Sequence, residues 1–234
     1  MSSQAAAGPA TREDAPVRES DRPLPVEHYG RSKLQAEQAV VRYRERLDVT
    51  IVRPSAVYGP RDRDFLRIFR QVARRVALHA APQHHHFSLV YVADLVEALI
   101  LAGTVPGAIG RTLFVGGPGG VTWRNLYDEV AAAAGTSPVQ VQLPFSAVRL
   151  AARGADMVSI LTGRPGLLNR NKAALARPRF WLCDDTLARE LLGWQPTTSL
   201  HDGVRRTYLS YVEAGWLRPG NPAATEGTMG DSIA

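Results

Sequence analysis

An α/β fold built on a parallel sheet is what this sequence predicts, on three observations. Val49-Thr50-Ile51-Val52 is an unbroken β-branched run bounded by Asp48 and Pro54, which suits a short strand buried on both faces. A helical pattern precedes it. A second short strand-like run, Thr112-Leu113-Phe114-Val115, leads through a glycine-rich turn into another helix. Helices alternating with buried strands are the grammar of a parallel sheet with crossover connections.

The elements follow in order. Residues 1–24 are polar, carry Pro9, Pro16 and Pro23, and read as irregular, although residues 1–8 look like the end of a strand running into a loop. Pro25 is a favoured first-turn residue and is expected to open a helix to about Arg46, with Leu34, Ala36, Val40 and Val41 on its apolar side. After the Val49–Val52 strand, the loop Pro54–Pro60 leaves the carboxyl end, the edge where open α/β sheets bind ligands. Leu66, Ile68, Phe69 and Val72 mark the next helix. Residues 87–92 read as a strand, 93–102 and 122–134 as helices, 139–143 as a short strand and 145–161 as an apolar, buried helix. The stretch 163–179 is a basic loop. Asp184 or Asp185 is expected to cap a short helix ending at Gly193, and Ser199-Leu200-His201-Asp202 has the form of a capping box that opens the last helix, to about Ala214.

Composition narrows the function classes. Hydrophobic residues make up 45% and charged residues 21% of the 234, a globular balance. No run of 18 apolar residues exists, so no membrane span is expected. Cys183 is the only cysteine, which excludes an intramolecular disulfide and suits a reducing, cytoplasmic setting. The net charge of +6 is spread along the chain with acids between the arginines, so no nucleic-acid stripe is expected.

Chemistry concentrates at Tyr29-Gly30-Arg31-Ser32-Lys33. Positions four apart share one helix face, so Tyr29 and Lys33 present a phenol and an ammonium to the same side. An ammonium beside a phenol favours the phenolate, a group able to take or give the proton of a substrate alcohol. Of 28 basic residues only Lys33 and Lys172 are lysine, so one of two compact ammonium groups falls here. Other motifs are weaker. His84-His85-His86 cannot converge on a metal from a strand, whose successive side chains alternate faces. Gly116-Gly117-Pro118-Gly119-Gly120 fits neither phosphate-binding glycine pattern and reads as a strand–helix turn. No G-x-S-x-G elbow is present.

Residues 25–37 as a whole resemble the catalytic helix of the extended short-chain dehydrogenase/reductases, the NAD-dependent epimerase/dehydratase group. Val52-Arg53-Pro54-Ser55-Ala56-Val57-Tyr58-Gly59-Pro60 is similar to that family's strand and loop beside the nicotinamide, and the segments 90–98 and 191–196 resemble two further signatures. The resemblance implies a fold and roles. Residues 1–80 would be a residual part of a Rossmann domain carrying the catalytic helix. Residues 81–217 would be a mixed substrate-binding region with a returning Rossmann strand, and 218–234 a disordered tail. Tyr29 would be the general acid/base, Lys33 would support it and hold the nicotinamide ribose, and Ser3, with Ser2 as the alternative, would hydrogen-bond the reacting oxygen. Pro54, Ser55 and Val57 would contact the nicotinamide of NAD or NADP. The implied partner is a small-molecule substrate, sterol-like or sugar-like, with a homodimer left open.

The sequence also departs from the family pattern. The glycine-rich turn that seats the pyrophosphate, and the βα units expected before the serine, are not written here, so an N-terminally truncated member that binds dinucleotide poorly is expected. The competing reading is a catalytically inert homologue or a partner-binding module.

Overall fold

The computed structural model describes the chain except residues 80, 81, 83, 145, 148, 149, 151–176 and 220–234. The expected helix 145–161, the basic loop 163–179 and the tail therefore lie wholly or mostly outside the described residues. The elements in order are α1 (His28–Val41), β1 (Ile51–Pro54), β2 (Ala56–Tyr58), α2 (Leu66–Ala73), β3 (Val76–His79), β4 (His86–Tyr91), α3 (Val92–Thr104), β5 (Thr112–Val115), β6 (Gly120–Thr122), α4 (Trp123–Ala134), β7 (Val139–Gln142), β8 (Phe180–Trp181), α5 (Thr186–Leu192) and α6 (Leu200–Glu213).

The two short apolar runs pair with each other. β1 and β5 lie parallel, Ile51 opposite Thr112 and Pro54 opposite Val115, so both strands end at the same edge. Val52, Leu113 and Val115 are buried there against Leu95 and Ala98 of α3 and Ala188 and Leu192 of α5. The amide of Ser2 donates to the carbonyl of Val52 at 2.7 Å, so the first residues do run beside β1 as the end of a strand would. β4 organises the second sheet, parallel to β2 and β8 and antiparallel to β6. Phe69, Leu126, Val130, Tyr208 and Tyr211 from α2, α4 and α6 pack with its side chains. β3 and β7 form a separate parallel pair.

Several expectations need correction. α1 starts at His28, not Pro25, because the Glu27 carboxylate accepts the amides of Tyr29 and Gly30 and caps the helix there. Its expected apolar side is not buried. Val40 and Val41 are exposed, and the residues it buries are Gly30 and Glu37. The loop after β1 contains a strand, β2, and the glycine-rich turn contains another, β6; both add to β4. The turn comes so close to β4 that a Cβ on Gly117 would sit 1.8 Å from the carbonyl oxygen of Leu89, a contact only glycine permits. Asp185 stands at the start of α5 without a capping bond, while Asp184 Oδ1 accepts the amide and hydroxyl of Thr186. Ser199 caps α6 as expected.

The polar stretch before α1 is packed rather than loose. Val17 exchanges backbone hydrogen bonds with Leu182 and Asp184, Ala10 donates to Phe180, and Ala7, Ala10 and Val17 are buried with Phe114 and Leu182. Glu19 completes this strap by accepting the amide of Phe114 at 2.8 Å. Burial raises its pKa above the ordinary 4.5, with the Phe114 amide pulling the other way. The native state therefore holds this proton to higher pH than the unfolded chain, and stability falls as pH rises through that window. Glu19→Gln keeps the acceptor and removes the charge. It is expected to be more stable than the parent at neutral pH and to lose that advantage below pH 4.5, as read by urea denaturation at both values.

Candidate functional site

The first turn of α1 presents the pair that the sequence singles out. Lys33 Nζ lies over the ring of Tyr29, 5.7 Å from its centroid, and Tyr29 is 53% exposed. The spacing of four residues does this, since it stacks the two side chains on one helix face. Lys33 also borders a crevice of about 100 Å³ between α1 and β1, shared with Ser2, Glu37 and Ile51.

Ser3 begins a short segment that packs on α1. It caps a 3-10 turn, Gln4–Ala6, and its hydroxyl oxygen accepts the amide of Ala5 at 3.2 Å, which leaves the hydroxyl proton free to donate. That turn leans on α1. A Cβ on Gly30 would lie 2.2 Å from the carbonyl oxygen of Ala5, so glycine after Tyr29 is what allows the approach. Ser2 is buried beside β1.

Pro54 and Ser55 are buried at the carboxyl end of β1, and Ser55 donates its amide to Val115. Val57, in β2, is half-buried against the β1–β5 core. The hydroxyls of Ser2 and Ser55 are both buried and both lack a hydrogen-bond partner among the described residues. Orphaned polar groups of this kind are rare and call for an explanation. No G-x-G-x-x-G turn is present in the sequence to seat a pyrophosphate.

Sequence reasoning missed the group that ties this site to the sheet. Arg53 Nε and Nη2 donate to the two carboxylate oxygens of Glu37 at 2.9 and 2.7 Å, with both side chains buried. The guanidinium also lies over the ring of Phe114, 5.5 Å from its centroid. A signal was available: an arginine ending a β-branched run on a buried strand needs a partner, and Glu37 lies one helical turn beyond Lys33.

A wider cleft, about 420 Å³, opens at the neighbouring strand end. It is lined by the Gly116–Gly120 turn with Ser88, Cys183, Asp185 and Arg189. Arg189 is forked onto Asp185 and reaches the carbonyl of Gly117. Burial pushes the Cys183 thiol up to about 12, so it stays protonated at neutral pH. Tyr29 and Lys33 do not line this cleft, but the Ser55–Val115 bond joins the two strand ends.

The expectation that the histidine run lies on a strand holds only for His86, the first residue of β4; His84 and His85 precede it, His84 exposed and His85 buried. Among the described residues no group of three or more His, Cys, Asp and Glu side chains is placed to hold a metal ion. No described helix is long and apolar enough to cross a membrane.

Comparison with known proteins gives a consistent result. Residues 1–116 match the NAD dependent epimerase/dehydratase family. A UDP-glucose 4-epimerase of Vibrio cholerae is 25% identical over 211 residues, covering 88% of this chain and 60% of that protein. A ceramide reductase of Caulobacter vibrioides (strain NA1000 / CB15N) is 29% identical over 192 residues, covering 82% of this chain and 59% of that protein. The UDP-glucuronic acid 4-epimerase of Bacillus cereus, solved with UDP-glucuronic acid and NAD, superposes with a TM-score of 0.71 at 20% identity, over 91% of this chain and 60% of that one. This chain thus spans about 60% of the length of these relatives. The family match starts at residue 1 and lends no support to the expectation of a missing amino-terminal half.

Proposed function

We propose, from the match of residues 1–116 to the NAD dependent epimerase/dehydratase family, that Tyr29, Lys33 and Ser3 carry the proton relay of an NAD(P)-dependent oxidoreductase or epimerase. The observation that carries this reading is the Lys33 ammonium held over the Tyr29 ring, with the Ser3 turn packed on the same helical turn. The Tyr29 phenol exchanges a proton with the substrate oxygen at the carbon being oxidised or reduced. Lys33 supplies positive charge beside that phenol. Ser3 donates its free hydroxyl proton to the same substrate oxygen. Pro54, Ser55 and Val57 hold the nicotinamide end of the cofactor, which when bound supplies the hydride chemistry. The substrate is a sugar-like or lipid-like alcohol or ketone, the classes suggested by the names of the two curated relatives.

A second reading, an inert homologue or partner-binding module, is favoured by the lack of a glycine-rich pyrophosphate turn in the 234 residues. Its consequence is weak dinucleotide affinity. Titrating NADH fluorescence against the purified chain is expected to show no saturation in the micromolar range, and micromolar affinity would refute that expectation. Turnover of UDP-glucose or of a ceramide ketone at millimolar dinucleotide then separates the readings. No turnover at any dinucleotide concentration sinks the enzyme.

A further inference from the structure

We propose that Arg53 is a positioning residue: by occupying Glu37, it leaves the Lys33 ammonium to Tyr29. This rests on the reading of Tyr29 and Lys33 as the proton relay. Tyr29, Lys33 and Glu37 lie at successive four-residue steps and so form one stripe along α1. Lys33 thus has two neighbours on its own helix, a ring one turn before it and a carboxylate one turn after it. A lysine and a glutamate four apart attract each other. Yet the ammonium lies over the ring, and among the described residues Lys33 makes no ion pair.

The fork of Arg53 accounts for that choice. It engages both oxygens of Glu37 at once, at 2.9 and 2.7 Å, in a buried setting. Two parallel charge-assisted bonds in low dielectric hold the carboxylate more firmly than a single flexible ammonium could. The planar guanidinium is itself fixed by the Phe114 ring beneath it. With Arg53 removed, Glu37 would be a buried charge without a partner, and Lys33 would be the nearest cation on its stripe. The ammonium would swing one turn along the helix, away from Tyr29.

The test reads Lys33 directly and needs neither substrate nor dinucleotide. Reductive methylation with 13C-formaldehyde keeps the lysine charge. It labels Lys33, Lys172 and the terminal amine, with Lys33 assigned by its loss in Lys33→Arg. In the parent the Lys33 methyl resonance is shifted by the aromatic ring, and Tyr29→Leu defines the unshifted position. Arg53→Met is expected to move the Lys33 resonance to the unshifted position. Arg53→Met combined with Glu37→Met is expected to restore the parental one, since no carboxylate then competes. A parental resonance in Arg53→Met, or no restoration in the double variant, overturns the proposal. If Arg53→Met does not fold, Arg53→Lys is read instead. It keeps a cation but not the fork, so an intermediate position supports the proposal and a parental one overturns it. A chain that shows these shifts but turns over nothing refutes the proton relay alone.

Discussion

Replacing Glu37 with alanine is expected to lower the free energy of unfolding by about 3–5 kcal/mol, the range for breaking a buried ion pair from one side. The loss comes less from the missing attraction than from what remains. Arg53 would keep a full charge in a site where its side chain is only 6% exposed, with two of its donors unpaired. Replacing both residues with methionine is expected to come close to the parent, because no unpaired charge is left. Urea denaturation followed by tryptophan fluorescence measures both variants. A loss below about 1 kcal/mol in Glu37→Ala would mean that Arg53 finds water or a new partner, and the pair would then not be what fixes α1.

Tyr29→Phe is expected to reduce turnover by about 10²–10⁴-fold, the usual weight of a positioned general acid or base. The substitution is chosen to remove one thing. Phenylalanine keeps the ring face that Lys33 covers, so the cation–ring contact and the helix should survive. Tyr29 is 53% exposed and its hydroxyl supports no packing, so unfolding should not obscure the result. Turnover within twofold of the parent would remove Tyr29 from the chemistry. A large loss with unchanged stability would place its role in the reaction and not in the fold.

The elements that could be read from the sequence are those whose signal is local. β1 and β5 announce themselves by short apolar runs, β1's mostly β-branched, α5 and α6 by their stops and caps, and the Tyr29–Lys33 contact by a spacing of four. What could not be read depends on partners far along the chain. β2 and β6 look like loop and turn because each is three residues long and gains its bonds from β4. α1 misleads because its valines suggest a buried stripe, while its attachment is polar: the Glu27 cap and the Glu37–Arg53 pair. The recognisable motifs also pair off in space. The helix of Tyr29 is joined to the Arg53 segment by that ion pair. Buried Asp94 accepts the amide and hydroxyl of Thr198, and its carbonyl accepts the Trp194 indole proton. Each motif reads as an isolated string in the sequence, yet much of what it specifies is its fit to another.

The strap before α1 has a consequence for biosynthesis. Its backbone partners, Phe180, Leu182 and Asp184, lie some 170 residues downstream of Ala10 and Val17. At ribosomal elongation rates of 5–20 residues per second, they are made on the order of 10–30 s after the strap itself. Until they leave the exit tunnel, Ala7, Ala10 and Val17 have no Leu182 to cover them. The corner that holds Ser3 is therefore completed long after its own residues are translated, and nascent chains stalled before residue 180 should leave it open to protease.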